Sequence, residues 1–163
     1  MGPSTTIDRS VRLLGLGNEL LADDAFGIRV AREVRYRFGG AVDVVTSSAS
    51  GFALLDDVIG TAHLLVVDTV QTGSAPPGYI RVLTENGVRS APGESPHFLG
   101  LFDVLRVARK LGMAVPDEVV IIAVEAFDCV TVGGLMHPAV ESAVGPVVEL
   151  AAKVLFGREM SYA

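Results

Sequence analysis

VRLLGLGNELLADDAFGIRV, residues 11–30, is the stretch that decides the fold. Val11 to Leu16 is an apolar run with the character of a buried strand, and it ends at glycine. Asp24 to Phe38 reads as a helix, because Phe26, Val30 and Val34 fall on one stripe at helical spacing. Gly39-Gly40 then ends it. A strand, a glycine turn and a helix in that order form the opening unit of an α/β sheet. Gly15-Leu16-Gly17 begins like a dinucleotide-binding loop, yet the third glycine of G-x-G-x-x-G would fall at position 20, where Leu20 stands. Asp23 and Asp24 sit at the helix start and would repel a phosphate. The turn is that of a nucleotide fold, while its charge calls for a cation. Leu20 and Leu21 are expected to pack the loop down, Asp23 to cap the helix, and Asp24 to be left to face the crevice.

The same alternation continues outward. Residues 41–46 read as a second strand and Phe52 to Ile59 as a short helix. His63 to Asp68 is a nearly continuous apolar third strand, as expected at a sheet centre. Tyr79 to Leu83 reads as a fourth strand at an edge, 84–96 as a polar loop, and His97 to Leu111 as a helix with Leu101, Leu105 and Ala108 in register. Glu118 to Val124 is a fifth strand and Pro138 to Phe156 a last helix. The expectation is a three-layer α/β/α sandwich on a five-stranded, mostly parallel sheet whose edge strand is free to be antiparallel. It forms one domain over residues 1–163, with 1–10 as a flexible N-terminus.

Composition narrows the partners. A net charge of −6 argues against nucleic acid and anionic membrane. Cys129 is the only cysteine, so no internal disulfide framework exists and the cytoplasm is the expected compartment. No apolar run reaches the roughly 18 residues a spanning helix needs. Residues 1–10 lack the apolar centre of a signal peptide. Gly2 and Thr6 match a loose myristoylation pattern, against which Pro3 argues.

In open sheets of this kind ligands bind beyond the carboxyl ends of the strands, near the topological switch point. Asn18, Asp23 and Asp24 follow the first strand, Asp68 ends the third, and His97 opens the helix after the fourth. In a 2-1-3 strand arrangement Asp24 and Asp68 face each other, with His97 arriving on the longer loop. Two carboxylates and an imidazole form a three-donor set for a divalent cation, suited to zinc, nickel or cadmium more than to magnesium. Each also has a plain structural alternative: a cap for Asp23 or Asp24, a turn former for Asp68, a helix start for His97. Glu125 points to the same edge as a supporting or substrate-contacting group. His63 and Cys129 read as structural, and His137 leans the same way.

These residues carry a resemblance. Gly15 through Gly27 resembles the G-x-G-N-x-L-x-x-D-[DE]-x-x-G signature of the nickel–iron hydrogenase maturation proteases. Val67-Asp68-Thr69-Val70 with Pro77-Gly78, Ser95-Pro96-His97 with Leu105, and Ala123-Val124-Glu125 resemble three further blocks of that family, in order. The resemblance implies a monomeric, metal-dependent, aspartic-type endopeptidase. Its substrate would be a nickel-loaded hydrogenase large-subunit precursor, which loses a C-terminal extension. Asp24, Asp68 and His97 match the family's metal-binding positions, with nickel as the implied metal, held by the enzyme or supplied by the precursor. Asn18 would hold the loop or donate to an oxyanion. Ala25, Ala126 and Met136-His137-Pro138 depart from the family pattern and bear on substrate recognition. Two rival classes remain: a non-catalytic metal-binding assembly chaperone and a nucleotide-binding module.

Overall fold

The computed structural model describes residues 8–85 and 96–157, with backbone alone for residues 8, 9 and 96–99. Five strands form one sheet: β1 (Asp8–Leu16), β2 (Val42–Ser47), β3 (His63–Val70), β4 (Ile80–Thr84) and β5 (Glu118–Glu125). Their order is β2-β1-β3-β5-β4. All neighbours are parallel except β4 and β5, which are antiparallel. The 2-1-3 arrangement and the antiparallel edge strand therefore stand as the sequence implied. β3 is the middle strand, and Leu64 to Val67 are at most 2 % exposed, which is why that run is apolar without alternation.

Helices cover both faces. On one side α1 (Phe26–Phe38) and α5 (Val144–Phe156) pack on Leu13, Leu65, Val67, Ile122 and Val124. On the other, α2 (Leu55–Val58) and α3 (Pro96–Lys110) pack on Leu14, Leu64, Val66 and Ile121. The stripe Phe26, Val30, Val34 is fully buried, as its spacing demands.

Four boundaries differ for physical reasons. β1 starts at Asp8, inside the segment expected to be flexible; residues 1–7 lie outside the described residues. β3 runs two residues past Asp68, because Thr69 and Val70 continue the ladder against Val124 and Glu125. Aspartate is a poor strand residue and looks like an end, but past Val67, where the pairing with β1 stops, the ladder with β5 alone carries the strand on. The last helix is two: α4 (Pro138–Ser142) stops and α5 restarts after Ala143. Pro146 has no N–H to offer the Ser142 carbonyl, and its ring crowds that turn. Residues 22–25 form a separate 3-10 turn ahead of α1. The expected polar loop falls largely on residues 86–95, outside the described residues.

Candidate active site

Three glycines bring β1 and α1 into contact at the carboxyl edge. A Cβ on Gly15 would lie 2.3 Å from the Gly27 carbonyl oxygen, and one on Gly27 would lie 2.2 Å from Leu16 O and 2.4 Å from Val67 O. The start of α1 is thereby seated over the ends of β1 and β3. Gly17, at φ 148°, leaves no room for a side chain, since its Cβ would lie 1.9 Å from the Asp24 carbonyl oxygen.

The loop between them is closed on itself. Gly17 N donates to Ser47 O at 3.1 Å, Asn18 N to Asp24 O at 3.2 Å and Leu21 N to Asn18 O at 3.1 Å. Leu20 N donates to the Asn18 side-chain oxygen at 3.0 Å. The N–H groups that would cradle a phosphate are already used, which removes the nucleotide-loop reading. Asn18 holds this loop. Leu20 does not pack it down: it is 66 % exposed.

Asp23 has a different task from the one its position suggested. Neither the 3-10 turn nor α1 has a side-chain cap. The Asp23 carboxylate, fully buried, instead accepts backbone N–H groups from Phe127 at 2.8 Å, Asp128 at 2.9 Å and His137 at 2.6 Å. It gathers both ends of the loop that follows β5. A charge can stay buried when it is multiply hydrogen-bonded.

Asp24 follows at once and is half-buried. Its backbone is tied on both sides, N–H to Leu21 O at 2.8 Å and carbonyl to Asn18 N. Asp68 is fully buried, and its Oδ1 accepts from Thr69 N at 2.7 Å. Leu64, Val66 and Val70 face the α3 layer, so strand alternation puts Asp68 on that face. Cys129 lies beside the residue that follows Asp68. Its thiol lies 3.6 Å from the Thr69 hydroxyl. Burial first, then the charges of Asp24, Asp23 and Asp68, push it up to about 11 against the opposing hydrogen bond from Thr69. Such a thiol stays protonated and unreactive, in keeping with a structural role.

His97 is the second residue of α3; its side chain lies outside the described residues. The end of α3 bearing it can be located. β4 runs back toward the start of β5, where Thr84 pairs with Val120, and Arg109 near the other end of α3 reaches Glu85 just beyond. At the His97 end, Gly100 lies close to Gly51, which follows the carboxyl end of β2. His97 therefore starts its helix at the carboxyl edge, in the layer that Asp68 faces. Among the described residues no three His, Cys, Asp or Glu side chains converge as a metal set.

Glu125 is 2 % exposed and holds neighbouring structure in place. Its carboxylate accepts from Thr72 N, Gly73 N and the Thr72 hydroxyl, and pairs with Arg81 at 2.6 Å. Burial raises its pKa, but Arg81, Thr72 and the Gly73 amide together outweigh that and leave it below the usual value. This favours a supporting role over a substrate contact. His63 opens β3 at the opposite edge, 3.4 Å from Glu118. His137 caps α4, its Nδ1 accepting from Ala139 N at 3.2 Å. A cleft of about 300 Å³ adjoins Gly17 on the other flank, lined by Asn18, Glu19, Ile28 and Thr46 to Ser48. Sequence reading missed the loop 126–137 as a feature; the available signal was apolar residues in a glycine-containing stretch with neither helical nor strand periodicity.

Comparison with known proteins bears on the family and the fold. A family described as hydrogenase maturation protease matches residues 28–154. The hydrogenase 2 maturation protease of Escherichia coli K12 is 32 % identical, covering 85 % of this chain and 86 % of the relative. The hydrogenase expression/formation protein HupD of Bradyrhizobium diazoefficiens is 29 % identical, over 94 % of this chain and 81 % of its own. The structure of the hydrogenase maturating endopeptidase HybD from E. coli superposes with a TM-score of 0.75 at 28 % identity, covering 91 % of this chain and 93 % of that one.

Proposed function

The chain belongs to the hydrogenase maturation protease family, and from that premise we propose that it is the endopeptidase that trims the C-terminal extension from a nickel-loaded [NiFe] hydrogenase large-subunit precursor. One observation carries the assignment of the centre. Asp24 sits over the joined ends of β1 and β3, Asp68 projects from β3 toward the α3 layer, and α3 begins with His97 at that same edge.

The donor set fits nickel in part. Asp24 and Asp68 match two of the three donor positions that the family resemblance implies, and we assign His97, whose helix starts at the same edge, as the third. Carboxylate and imidazole together suit a borderline divalent metal. Bound there, nickel would act as a Lewis acid on the scissile carbonyl and as the mark of a loaded precursor.

The protein's own groups do the remaining work. Asp24 is half-buried and keeps access to solvent, so it is the general base for the attacking water. Asp68 is fixed by Thr69 N–H and supplies a fully desolvated charge, whose field is strongest on a substrate that excludes water. The proton taken by Asp24 returns to the leaving amine, which completes the hydrolysis. Asn18 holds the loop on which Asp24 rides. The protein acts as a monomer in the cytoplasm; among the described residues no helix is long and apolar enough to cross a membrane.

The test is one incubation of the purified chain with nickel-loaded precursor, read by mass spectrometry. Loss of the C-terminal extension is expected, and none with nickel-free precursor. An unchanged mass in both would overturn the proposal.

A further inference from the structure

The loop after β5 turns its apolar side chains outward. Phe127 is 66 % exposed, Val130 and Val132 are each 77 %, and Leu135 is 93 %. Leu20 joins them, because Gly133 N donates to Leu20 O at 2.7 Å and Leu21 pairs with Val132. Scattered exposed apolar residues are ordinary, but five on two loops bonded to each other are not.

We propose that this surface docks the precursor beside the bond to be cut, gripping apolar residues next to its C-terminal extension; the proposal rests on the endopeptidase reading above. Three observations support that occupant. The loop is continuous with the candidate centre, since Cys129 within it lies against Thr69, next to Asp68, and Asp23, next to Asp24, binds its two ends. Its backbone is held before any partner arrives, by the Asp23 carboxylate at Phe127, Asp128 and His137 and by Asp128 Oδ1 accepting from Val130 N and Thr131 N. A surface fixed in advance loses little entropy on binding. Between residues 126 and 137 the only charged side chain is Asp128, whose Oδ1 is engaged in that turn. A stretch with no lysine or arginine is poorly suited to an anionic bilayer and well suited to a protein chain.

The experiment measures nickel-loaded precursor binding by biolayer interferometry and processing by mass spectrometry for wild type, Val130→Glu, Leu135→Glu and Leu111→Glu. Leu111, 71 % exposed beyond the far end of α3, is the control for losing an apolar side chain elsewhere. Burying a carboxylate in an apolar contact should weaken binding by about ten-fold or more for Val130→Glu and Leu135→Glu. KM rises with it, while kcat and the melting temperature hold. Leu111→Glu should bind like wild type. Wild-type affinity in the two loop variants, equal weakening in Leu111→Glu, or no binding by wild type overturns the docking surface. A wild-type dimer that Leu135→Glu splits assigns the surface to a second copy and also overturns it. Binding without cleavage leaves docking standing and removes the endopeptidase reading; cleavage with unaltered binding in the variants does the reverse.

Discussion

The Asp23 carboxylate and the His137 backbone N–H, 114 positions apart in the chain, meet at 2.6 Å in the interior of the protein. That contact joins the loop after β1 to the start of α4, and through Phe127 and Asp128 to the end of β5. The residue next to the proposed general base is therefore the anchor of the loop that flanks it. Asp23→Asn keeps the size but turns an amide N–H₂ toward backbone donors. A loss of about 2–4 kcal/mol in urea unfolding is expected for a buried charged acceptor left half-satisfied. Processing should show a raised KM, because the flanking loop loosens. A variant as stable as wild type would remove the anchoring role.

Asp24→Asn tests the chemistry apart from the fold. The Asp24 backbone donates its N–H to Leu21 O and accepts from Asn18 N–H, and an amide side chain leaves both bonds intact. Processing should fall by about a hundred-fold or more, the size of a general base contribution. Circular dichroism and melting temperature should stay near wild type. Cleavage at the normal rate would exclude Asp24 as the base.

Glu125 sets an acid limb of stability. Its folded-state pKa lies below its ordinary value of 4.5, so the folded protein binds a proton less readily there than the unfolded chain does. The stabilisation is complete above about pH 4.5 and is lost as pH falls from there through the folded value. Glu125→Gln should cost about 2–3 kcal/mol at pH 7, through the Arg81 and Thr72 bonds, and the gap to wild type should narrow in acid. Parallel stability curves from pH 7 to pH 3 would contradict this.

Cys129 reports on the carboxylates around it. With its pKa raised from 9.0 to about 11, the thiolate fraction at pH 8 is roughly 100-fold below that of an ordinary thiol. Iodoacetamide should modify the native protein correspondingly slowly, and the urea-unfolded chain at the normal rate. Asp24→Asn removes one of the charges responsible and should speed the native reaction. Native and unfolded chains reacting alike would show that Cys129 is not enclosed in this way.

Local chemistry carried most of the fold into the sequence. Apolar runs of strand length, a stripe at Phe26, Val30 and Val34, and glycines at the turns each specify an element by its own neighbours in the chain. The unbroken apolar character of residues 64–67 places β3 at the sheet centre, and the same alternation of elements carries Asp24, Asp68 and the start of the His97 helix to one edge. Pro146 is the exception: the stretch 138–156 reads as one helix by its apolar pattern, and the proline within it marks the break between α4 and α5. What the chain could not declare locally were pairings between distant residues. Asp23 reads as a cap from its neighbours, yet its three partners lie more than a hundred positions away. Glu125 faces the same edge as Asp68, but Arg81 and the Thr72–Gly73 turn had already engaged it. Leu20 is apolar and still exposed, because the loop beneath it is closed by backbone bonds and leaves its side chain nothing to bury against. A propensity is a property of one residue and its neighbours, whereas a buried carboxylate takes its role from whichever donors the folded chain brings within hydrogen-bond distance.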